Sequence, residues 1–288
     1  MDRKEFGKLI AALREEHIEF SPRGIGVWTQ AKLAKEANLP EKAISQIEQG
    51  RKMNLDAQTM TQLARALKLT ASEQVELFGA AAEVGADPQY LLREQTSHAL
   101  HTLLKLIGDI RLPAFLCDHY TNVLAGNTLA LAVLHVPEAM IQAAPTLASG
   151  FNLLRVVFAP ESPFRQLMGE QWTARAEASL HYFRTTTLRY RHTEQFHAIL
   201  AELSALPNFR DLWFATQNYG EDFLPTWTTY TYAHPELGQV SFIAHISTTL
   251  TNRGALYLTT YLPCTKETAE IFETFIRRHG LGVRRFAQ

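Results

Sequence analysis

Cysteine is scarce in this chain of 288 residues, which contains only Cys117 and Cys264. Two cysteines are too few for a disulfide framework, so we expect both to be reduced thiols of a cytoplasmic protein. Long apolar runs are also missing, since no stretch approaches the roughly 18 uninterrupted apolar residues that a membrane span needs. The first five residues, Met1 to Glu5, are charged and lack the apolar core of a secretory signal. We therefore expect neither a membrane protein nor a secreted one.

Charge of one sign is not in excess either. Lysine and arginine total 28, aspartate and glutamate total 29, and the formal net charge is -1. A hydrophobic content of 46% and a charged content of 20% are typical of globular proteins. The composition therefore favours no class of partner, and the length is sufficient for two domains.

Sequence signals for catalysis and for cofactors are missing as well. No glycine-rich loop follows a predicted strand, no serine lies in a Gly-x-Ser-x-Gly turn, and no acid–base pair stands out. His192 and His197 are five residues apart, off the spacing that places two zinc ligands on one helix face. His181 is a conceivable haem ligand, but a surface or hydrogen-bonded histidine is the commoner case. We expect no enzyme, no metal site and no obligatory cofactor.

Residues 28–51 predict two short helices joined by a tight turn. Each predicted helix has an apolar face, formed by Leu33, Ala34 and Ala37 in the first and by Ile44 and Ile47 in the second. The break falls at Asn38-Leu39-Pro40, because a residue before proline is steered away from helical geometry. Gly50 is placed to end the second helix. The outward residues of that helix are polar, as a helix in the major groove requires.

This region resembles the Xre/Cro-type helix-turn-helix regulators over roughly the first 80 residues. The resemblance rests on Thr29-Gln30, Leu33-Ala34, the run from Ile44 to Gly50, and Leu63 to Leu67. It implies that Gln30 contacts a DNA phosphate and that Glu48 pairs internally with an arginine of the first helix, Arg14. The segment 15–27 departs from the family, because it is longer than the usual connection.

The resemblance and the positions of basic residues together predict a DNA-contacting set. It comprises Thr29, Gln30, Lys32, Glu41, Lys42, Ser45, Gln46, Arg51 and Lys52. Acids balance the basic residues up to Glu83, so no strong overall field attracts DNA. We therefore expect moderate affinity per monomer and a homodimer on double-stranded operator DNA.

Further helices are predicted after this motif. Residues 1 to about 83 are expected to be helical throughout, with Asp56 capping one helix and Ser72 another. An amphipathic helix is predicted over about 88–110, from the spacing of Leu92, Ala99, Leu103, Leu106 or Ile107, and Ile110. Its apolar stripe indicates either packing on the following domain or a dimer helix.

The remainder of the chain predicts two strands, a helical middle and three strands. The strands are 113–118, 122–126, 225–233, 239–248 and 255–262, and Asn127 is placed to cap the helix after the second. This is the order of a PAS-type domain, a five-stranded antiparallel sheet with helices on one face. A last helix is predicted over 266–279, and the arginines at its end form either a solvated face or a phosphate contact.

The ordered motifs of this half resemble the ligand-binding module of MmyB-like regulators. They include residues 113–118, Asn152 to Arg155, Trp172 with Arg175, and His234-Pro235 with Gly238. The predicted fold class is α+β: an all-α helix-turn-helix domain (1–85), a connecting helix (86–110), a PAS-like domain with a large helical insertion (111–265), and a helix with a basic tail (266–288).

Such a domain can enclose an apolar ligand site. The predicted lining comprises Phe115, Leu131, Leu154, Arg155, Phe158, Arg175, Leu203, Phe209, Trp213, Trp227, Tyr230, Phe242 and Leu256. Each aromatic residue is more often core than lining. A fatty acid fits this chemistry better than a sugar or a nucleotide, and Arg155, Arg175 or Tyr230 would meet its carboxylate. The sequence thus predicts a transcription regulator that senses an apolar ligand; the alternative is a PAS-like domain that serves only dimerisation or protein interaction.

Overall fold

The computed structural model describes residues 1–21, 24–51, 55–84, 95–216, 229–251 and 254–286. The chain forms two compact units. The first comprises Met1–Leu91, Arg184–His197 and Trp213–Leu224, and the second comprises Leu92–Phe183, Ala198–Leu212 and Pro225–Gln288. The amino-terminal unit therefore includes two segments from the middle of the sequence. The predicted domain boundaries assign both segments to the PAS-like domain, residues 111–265.

The first unit contains the predicted pair of helices and a β-hairpin. Its elements are α1 (Arg3–Glu15), β1 (Ile18–Ser21), β2 (Gly24–Val27), α2 (Gln30–Glu36), α3 (Glu41–Glu48), α4 (Ala57–Ala66) and α5 (Ala71–Glu83). The prediction of helix throughout residues 1–83 was wrong at the hairpin, where β1 and β2 pair antiparallel from Ile18 with Val27 to Ser21 with Gly24. Ile18 in β1 and Ile25 and Val27 in β2 are β-branched residues, which favour strands over helices.

Capping residues define the ends of the helices in this unit. The Thr29 side chain accepts a hydrogen bond from the backbone N–H of Lys32, and the Asp56 side chain caps α4 through Thr59. Ser72 was the wrong cap for α5, because the N-cap is Thr70, two residues earlier, which forms a reciprocal capping box with Glu73. Gly50 follows α3 with a φ of +67°, a conformation that glycine adopts without strain.

The predicted apolar faces form the core of the first unit. Leu33, Ala34, Ala37, Ile44 and Ile47 are all buried. They pack with residues of α1 and α4 and with Leu188 from the second segment of the unit. The interior of the helix-turn-helix therefore agrees with its sequence pattern.

The second unit contains a six-stranded antiparallel sheet. Its strands are β3 (Ala114–Cys117), β4 (Val123–Asn127), β5 (Thr229–His234), β6 (Gly238–Thr251), β7 (Gly254–Pro263) and β8 (Val283–Arg285), in the order β5-β6-β7-β3-β4-β8. The α+β class and the antiparallel sheet are confirmed. The expected count of five strands was one too low, because the tail adds β8 beside β4; a three-residue strand rich in arginine has too weak a pattern to be recognised.

The helical insertion was predicted only as a mostly helical region. Its helices are α7 (Thr128–Val133), α8 (Glu138–Ala143), α9 (Leu153–Phe158), α10 (Phe164–Met168), α11 (Trp172–Thr187), α12 (Glu194–Leu203) and α13 (Phe209–Thr216). Outside the insertion, α6 (Thr96–Asp109) precedes the sheet and α14 (Lys266–His279) follows β7. Asn127 caps α7 as predicted, and α14 has the predicted bounds. No helix within the described ranges is long and apolar enough to span a membrane.

Helices cover both faces of the sheet, not one face as expected. On one face, Ala99 and Ile107 of α6 pack in a cluster that includes Leu116, Leu256 and Leu258. The amphipathic stripe of α6 thus packs on its own unit, whereas a role in dimerisation stays a prediction. On the other face, the ring of Tyr182 from α11 contacts that of Tyr257, whose side chain alternates with those of Leu256 and Leu258 along β7.

Candidate DNA-reading helix and ligand site

The predicted DNA-reading residues lie on the outer surface of α3. Glu41, Lys42 and Gln46 are exposed, while Ser45 is half-buried and its hydroxyl accepts a hydrogen bond from the Gln49 amide at 3.0 Å. The opposite face of α3 is anchored in the core. This arrangement leaves three polar side chains of one short helix free to reach base edges.

The flanking basic residues differ in their surroundings. Lys32 lies 3.0 Å from the carboxylate of Glu36 and 5.8 Å above the ring of Trp28. A DNA phosphate would compete with these contacts. Arg51 is exposed directly after the turn that ends α3. Lys52, also in the predicted set, lies outside the described residues.

Glu48 joins three elements of the first unit. Its carboxylate accepts hydrogen bonds from Arg14 Nε at 2.8 Å and from Arg14 Nη2 at 3.1 Å. The predicted internal pair is therefore confirmed. The Gln30 amide also donates to Glu48, at 2.8 Å, which orients a predicted phosphate contact at the start of α2. The sequence did not predict this second bond.

The second unit holds a buried arginine beside a tyrosine. Arg175, on α11, is only 5% exposed, and its guanidinium lies 4.1 Å from the ring centre of Tyr230. Its Nη2 donates to the carbonyl of Thr229. Its Nε and Nη1 have no hydrogen-bond partner among the residues that the structure describes. A buried cation with two unused donors is a costly feature unless an anion completes it.

Aromatic rings extend from this arginine across the sheet. Tyr230 stacks on Phe242 at a centroid distance of 5.2 Å, and Phe242 stacks on Tyr261 at 4.4 Å. Phe115 meets Tyr261 edge-on at 5.6 Å. Burial raises the pKa of Tyr230 and of Tyr261, so both hydroxyls stay protonated donors at neutral pH. The sequence analysis did not name Tyr261 as a lining residue, although it lies in a predicted strand that contains aromatic residues.

A second aromatic group lies among the helices of the same unit. Phe158 meets Phe209 at 5.2 Å and Trp172 at 5.7 Å, both edge-on. The indole N–H of Trp172 donates to the carbonyl of Val157 at 2.9 Å. Of the predicted aliphatic lining, Leu154 and Leu203 are buried and Leu131 is half-buried. These side chains pack in the interior of the unit, and their role as ligand lining stays a prediction.

Comparison with known families agrees with this geometry. Residues 97–274 match the model of the MmyB-like transcription regulator ligand binding domain, and residues 28–74 match a helix-turn-helix model. The chain belongs to the MmyB-like transcription regulators. It is thus a DNA-binding regulator with a ligand-binding domain. No curated protein sequence matches it.

Three predicted lining residues of this MmyB-like regulator, Arg155, Leu256 and Trp213, make their described contacts away from Arg175. Arg155 is paired with Glu161 and Glu202, each at 3.3 Å. Leu256 faces α6 on the other side of the sheet, since the register of β7 decides which face it occupies. Trp213 lies in the first unit, its ring 5.1 Å from the Arg184 guanidinium. Trp227 lies outside the described residues.

Polar groups also lie further along α11. The hydroxyl of Tyr182 is buried and has no hydrogen-bond partner in the described part of the chain. Burial raises the pKa of Tyr182 well above its usual value. Nearby, burial raises the pKa of Asp118 to about 6, while the backbone N–H groups of Tyr120 and Asn122 donate to its carboxylate. Asp118 therefore orders its own turn.

Away from Arg175, the described part of the chain offers a surface groove but no metal-binding cluster. Within the described ranges, no group of histidine, cysteine and acidic residues is arranged to hold a metal ion. A groove of about 380 Å³ lies between the turn at Glu236 and α14. The acidic residues Glu236, Glu267 and Glu270 line it together with Arg278 and His279, so its lining carries charges of both signs and is not the predominantly apolar surface that a fatty-acid chain needs.

Proposed function

We propose that this regulator binds operator DNA as a homodimer and responds to a fatty acid or similar apolar carboxylate held by Arg175. The buried, incompletely hydrogen-bonded guanidinium of Arg175 is the observation that carries the proposal. A carboxylate would accept hydrogen bonds from Nε and Nη1, which have no partner among the described residues, with favourable charge and geometry. The adjacent hydroxyl of Tyr230 supplies a further polar group for the same head.

The neighbouring rings suit the rest of such a ligand. Phe115, Phe242 and Tyr261 present apolar surface next to the arginine. Burying about ten methylene groups at ~0.8 kcal/mol each contributes roughly 8 kcal/mol before ordering costs, which corresponds to about micromolar binding. A sugar or nucleotide would leave many polar groups without partners against these rings.

Matched arginine variants test the head-group assignment. Arg175→Met and Arg155→Met each remove one poorly exposed guanidinium from the second unit, but Arg155 is already neutralised by two carboxylates. We expect Arg175→Met to weaken laurate binding by at least about tenfold, the equivalent of one lost charged hydrogen bond. Arg155→Met should bind laurate as the wild type does. Equal affinity of all three proteins would contradict the assignment.

Solvent extraction of freshly purified wild-type protein provides an independent test. The denatured extract is analysed by mass spectrometry for fatty acids. A stoichiometric apolar acid supports the proposal. A clean extract from a folded dimer, together with no thermal stabilisation by fatty acids of any chain length, would instead favour a domain that only pairs the DNA-binding heads.

The DNA-binding half of the proposal follows from α3. A homodimer would place two copies of this helix in successive major grooves, so the operator should be a palindrome with half-sites about 10 bp apart or a multiple of that spacing. Selection of bound sequences from random duplexes tests this spacing. Recovery of single, unpaired half-sites would overturn the dimeric part of the proposal.

A further inference from the structure

The hydroxyl of Tyr182 is a second buried polar group on α11, besides the guanidinium of Arg175. Its oxygen is enclosed, and it has no hydrogen-bond partner among the residues that the structure describes. Arg175 and Tyr182 both belong to the second unit and are seven residues apart on the helix. About two turns separate them, so they project from the same side of α11, about 10.5 Å apart along its axis.

Both residues contact the same face of the antiparallel sheet. The Arg175 guanidinium lies 4.1 Å from the ring centre of Tyr230 on β5. The rings of Tyr182 and of Tyr257 on β7 have their centres 5.8 Å apart. Tyr257 shares its face of the sheet with Tyr261, because side chains alternate along a strand. The aromatic row that begins at Tyr230 and includes Tyr261 therefore leads from one polar group towards the other.

The surroundings of Tyr182 favour a neutral acceptor over an anionic one. Burial raises the pKa of Tyr182 well above its usual value, and nearby acidic groups raise it further, so the hydroxyl remains a proton donor. One of these groups, Asp118, is ionised at neutral pH, since its pKa is raised only to about 6. Backbone N–H groups of its own turn donate to its carboxylate. A second carboxylate here would be repelled, whereas a hydroxyl or ketone oxygen would accept a hydrogen bond without that repulsion.

Tyr232 shows how another tyrosine on the same sheet face is hydrogen-bonded. It shares its face of β5 with Tyr230, and its hydroxyl donates to the backbone carbonyl of Val133 at 2.6 Å. A buried hydroxyl that lacks such an acceptor destabilises the folded protein, and most buried polar groups in proteins have a partner. The hydroxyl of Tyr182 lacks that acceptor within the described ranges. A ligand oxygen at this point would supply it.

We infer that the ligand of this regulator is an oxygenated fatty acid, a hydroxy or oxo acid whose carboxylate lies at Arg175 and whose chain oxygen accepts a hydrogen bond from Tyr182. This assignment rests on the proposed function, because it needs Arg175 as the carboxylate site. The separation along α11, about 10.5 Å, places the oxygen in the distal part of a medium-length chain and not beside the head group. An unsubstituted chain would bury the Tyr182 hydroxyl against methylene groups and leave its hydrogen bond unmade.

Titration calorimetry of the full chain tests this class of ligand. The probes are laurate, its monohydroxy isomers and dodecanedioate. At least one isomer with its hydroxyl in the distal half of the chain should bind at least about tenfold more tightly than laurate, a gain typical of one buried hydrogen bond. The 2-hydroxy isomer is the matched control, because its hydroxyl lies beside the carboxylate, and it should show no such gain. Dodecanedioate should bind no more tightly than laurate, because its second carboxylate is charged.

The failure of this class and the failure of the proposed function give different results. Equal affinity of the wild type for laurate and for every isomer would overturn the oxygenated ligand and leave the proposed function intact. The same gain for the 2-hydroxy isomer as for the distal isomers would overturn it as well. Binding of neither laurate nor any isomer by the wild type would overturn the proposed function itself, and the oxygenated ligand with it.

Tyr182→Phe and Tyr232→Phe form a matched pair of variants, since each removes one hydroxyl from the same side of the sheet. Tyr182→Phe should bind laurate at least as tightly as the wild type does and should lose the preference for a distal hydroxyl. Tyr232→Phe should keep this preference, because its hydroxyl already has the carbonyl of Val133 as acceptor. Full preference in Tyr182→Phe would overturn the assignment of the chain oxygen to Tyr182.

Thermal unfolding without ligand gives a second readout of the same pair. Tyr182→Phe should melt at or above the wild-type temperature, because it removes a buried hydroxyl that has no acceptor. Tyr232→Phe should melt at a lower temperature, because it removes the hydrogen bond to Val133. An equal fall in melting temperature for both variants would show that the Tyr182 hydroxyl already has an acceptor in the protein, and would overturn the inference.

Discussion

Arg14 and Glu48 form a two-point ion pair that ties α1 to the last turn of α3. The distances are 2.8 Å from Nε and 3.1 Å from Nη2 to the two carboxylate oxygens, and both side chains are at most 10% exposed. The Gln30 amide shares the same carboxylate. The position of the DNA-reading helix therefore depends on a buried charge pair beside the predicted phosphate contact.

Removing one partner of this pair should be costly. Arg14→Met leaves the Glu48 carboxylate buried without its cation, so we expect the free energy of unfolding to fall by about 3–5 kcal/mol. Urea denaturation followed by circular dichroism measures this. Glu15→Gln is the matched control, because Glu15 pairs with Arg14 from an exposed position and should contribute no more than about 1 kcal/mol. Comparable losses in both variants would contradict the assignment.

Gly7 permits the close approach of α1 to the end of α3. A Cβ at this position would clash with the carbonyl oxygen of Glu48 and lie 2.7 Å from that of Ile47. Gly7→Ala should therefore destabilise the protein by about 1–3 kcal/mol, although alanine is the better helix former. In Gly108→Ala, by contrast, the new Cβ meets only Val283 Cγ2 at 3.5 Å, so it should be neutral or stabilise by up to about 1 kcal/mol. Melting temperatures of the two variants and the wild type measure these changes in stability. A higher melting temperature for Gly7→Ala would contradict the close packing of α1 on the end of α3.

Glu73 should make stability depend on pH in the acid range. Burial alone would raise its pKa, but the charges of Arg184 and Arg191 outweigh burial and lower the pKa from 4.5 to about 2. A lowered pKa stabilises the folded state above the unfolded pKa, and this contribution is lost as pH falls from about 4.5 towards about 2. At about 1.4 kcal/mol per pH unit, the ionised Glu73 contributes roughly 3 kcal/mol to the free energy of unfolding at neutral pH.

The measurement is urea denaturation at several acid pH values. Glu73→Gln should be less stable than the wild type at neutral pH and should lack this part of the acid dependence. Glu76→Gln, which removes a more exposed carboxylate of the same helix, should retain it. Parallel pH profiles for wild type and Glu73→Gln would show that the carboxylate does not titrate as stated.

The helix-turn-helix was predictable because its signals are local. Thr29, Asp56 and Gly50 act within one turn of their own positions. The pairing of Arg14 with Glu48 came from the family resemblance. The β1–β2 hairpin was missed, since a four-residue strand has little pattern of its own.

The geometry around the proposed ligand site was predicted less completely than the helix-turn-helix, because it depends on contacts between residues that are distant in sequence. Arg175 and Tyr230 were named, and the structure brings them together from positions 55 residues apart in sequence. Leu256 packs with α6, on the face of the sheet opposite to Tyr257, because a strand's register decides which face a residue occupies. No sequence pattern relates Glu73 to Arg184 or Arg191, so the buried ion pairs between them could not be predicted.

The two cysteines should differ sharply in reactivity. Cys117 is buried in β3, and burial raises its pKa well above the usual value, while Cys264 is exposed. The thiolate is the reactive species. Iodoacetamide should therefore label Cys264 in the native protein and both cysteines after denaturation. Peptide mass spectrometry after brief labelling distinguishes them, and rapid native labelling of Cys117 would contradict its burial.

Gln46 and Lys42 should determine which bases the regulator prefers. Both side chains are exposed on α3, and its other face is anchored by Ile44 and Ile47. Substitution by alanine therefore removes polar contacts without disturbing the core. Each lost base contact should cost ~1–3 kcal/mol on the selected operator and little on random duplex DNA. Arg51→Ala is the matched control: as a phosphate contact it should weaken binding to both duplexes alike and reduce the salt dependence of affinity. Equal losses on operator and random DNA for Gln46→Ala and Lys42→Ala would show that these residues position the helix and do not read sequence.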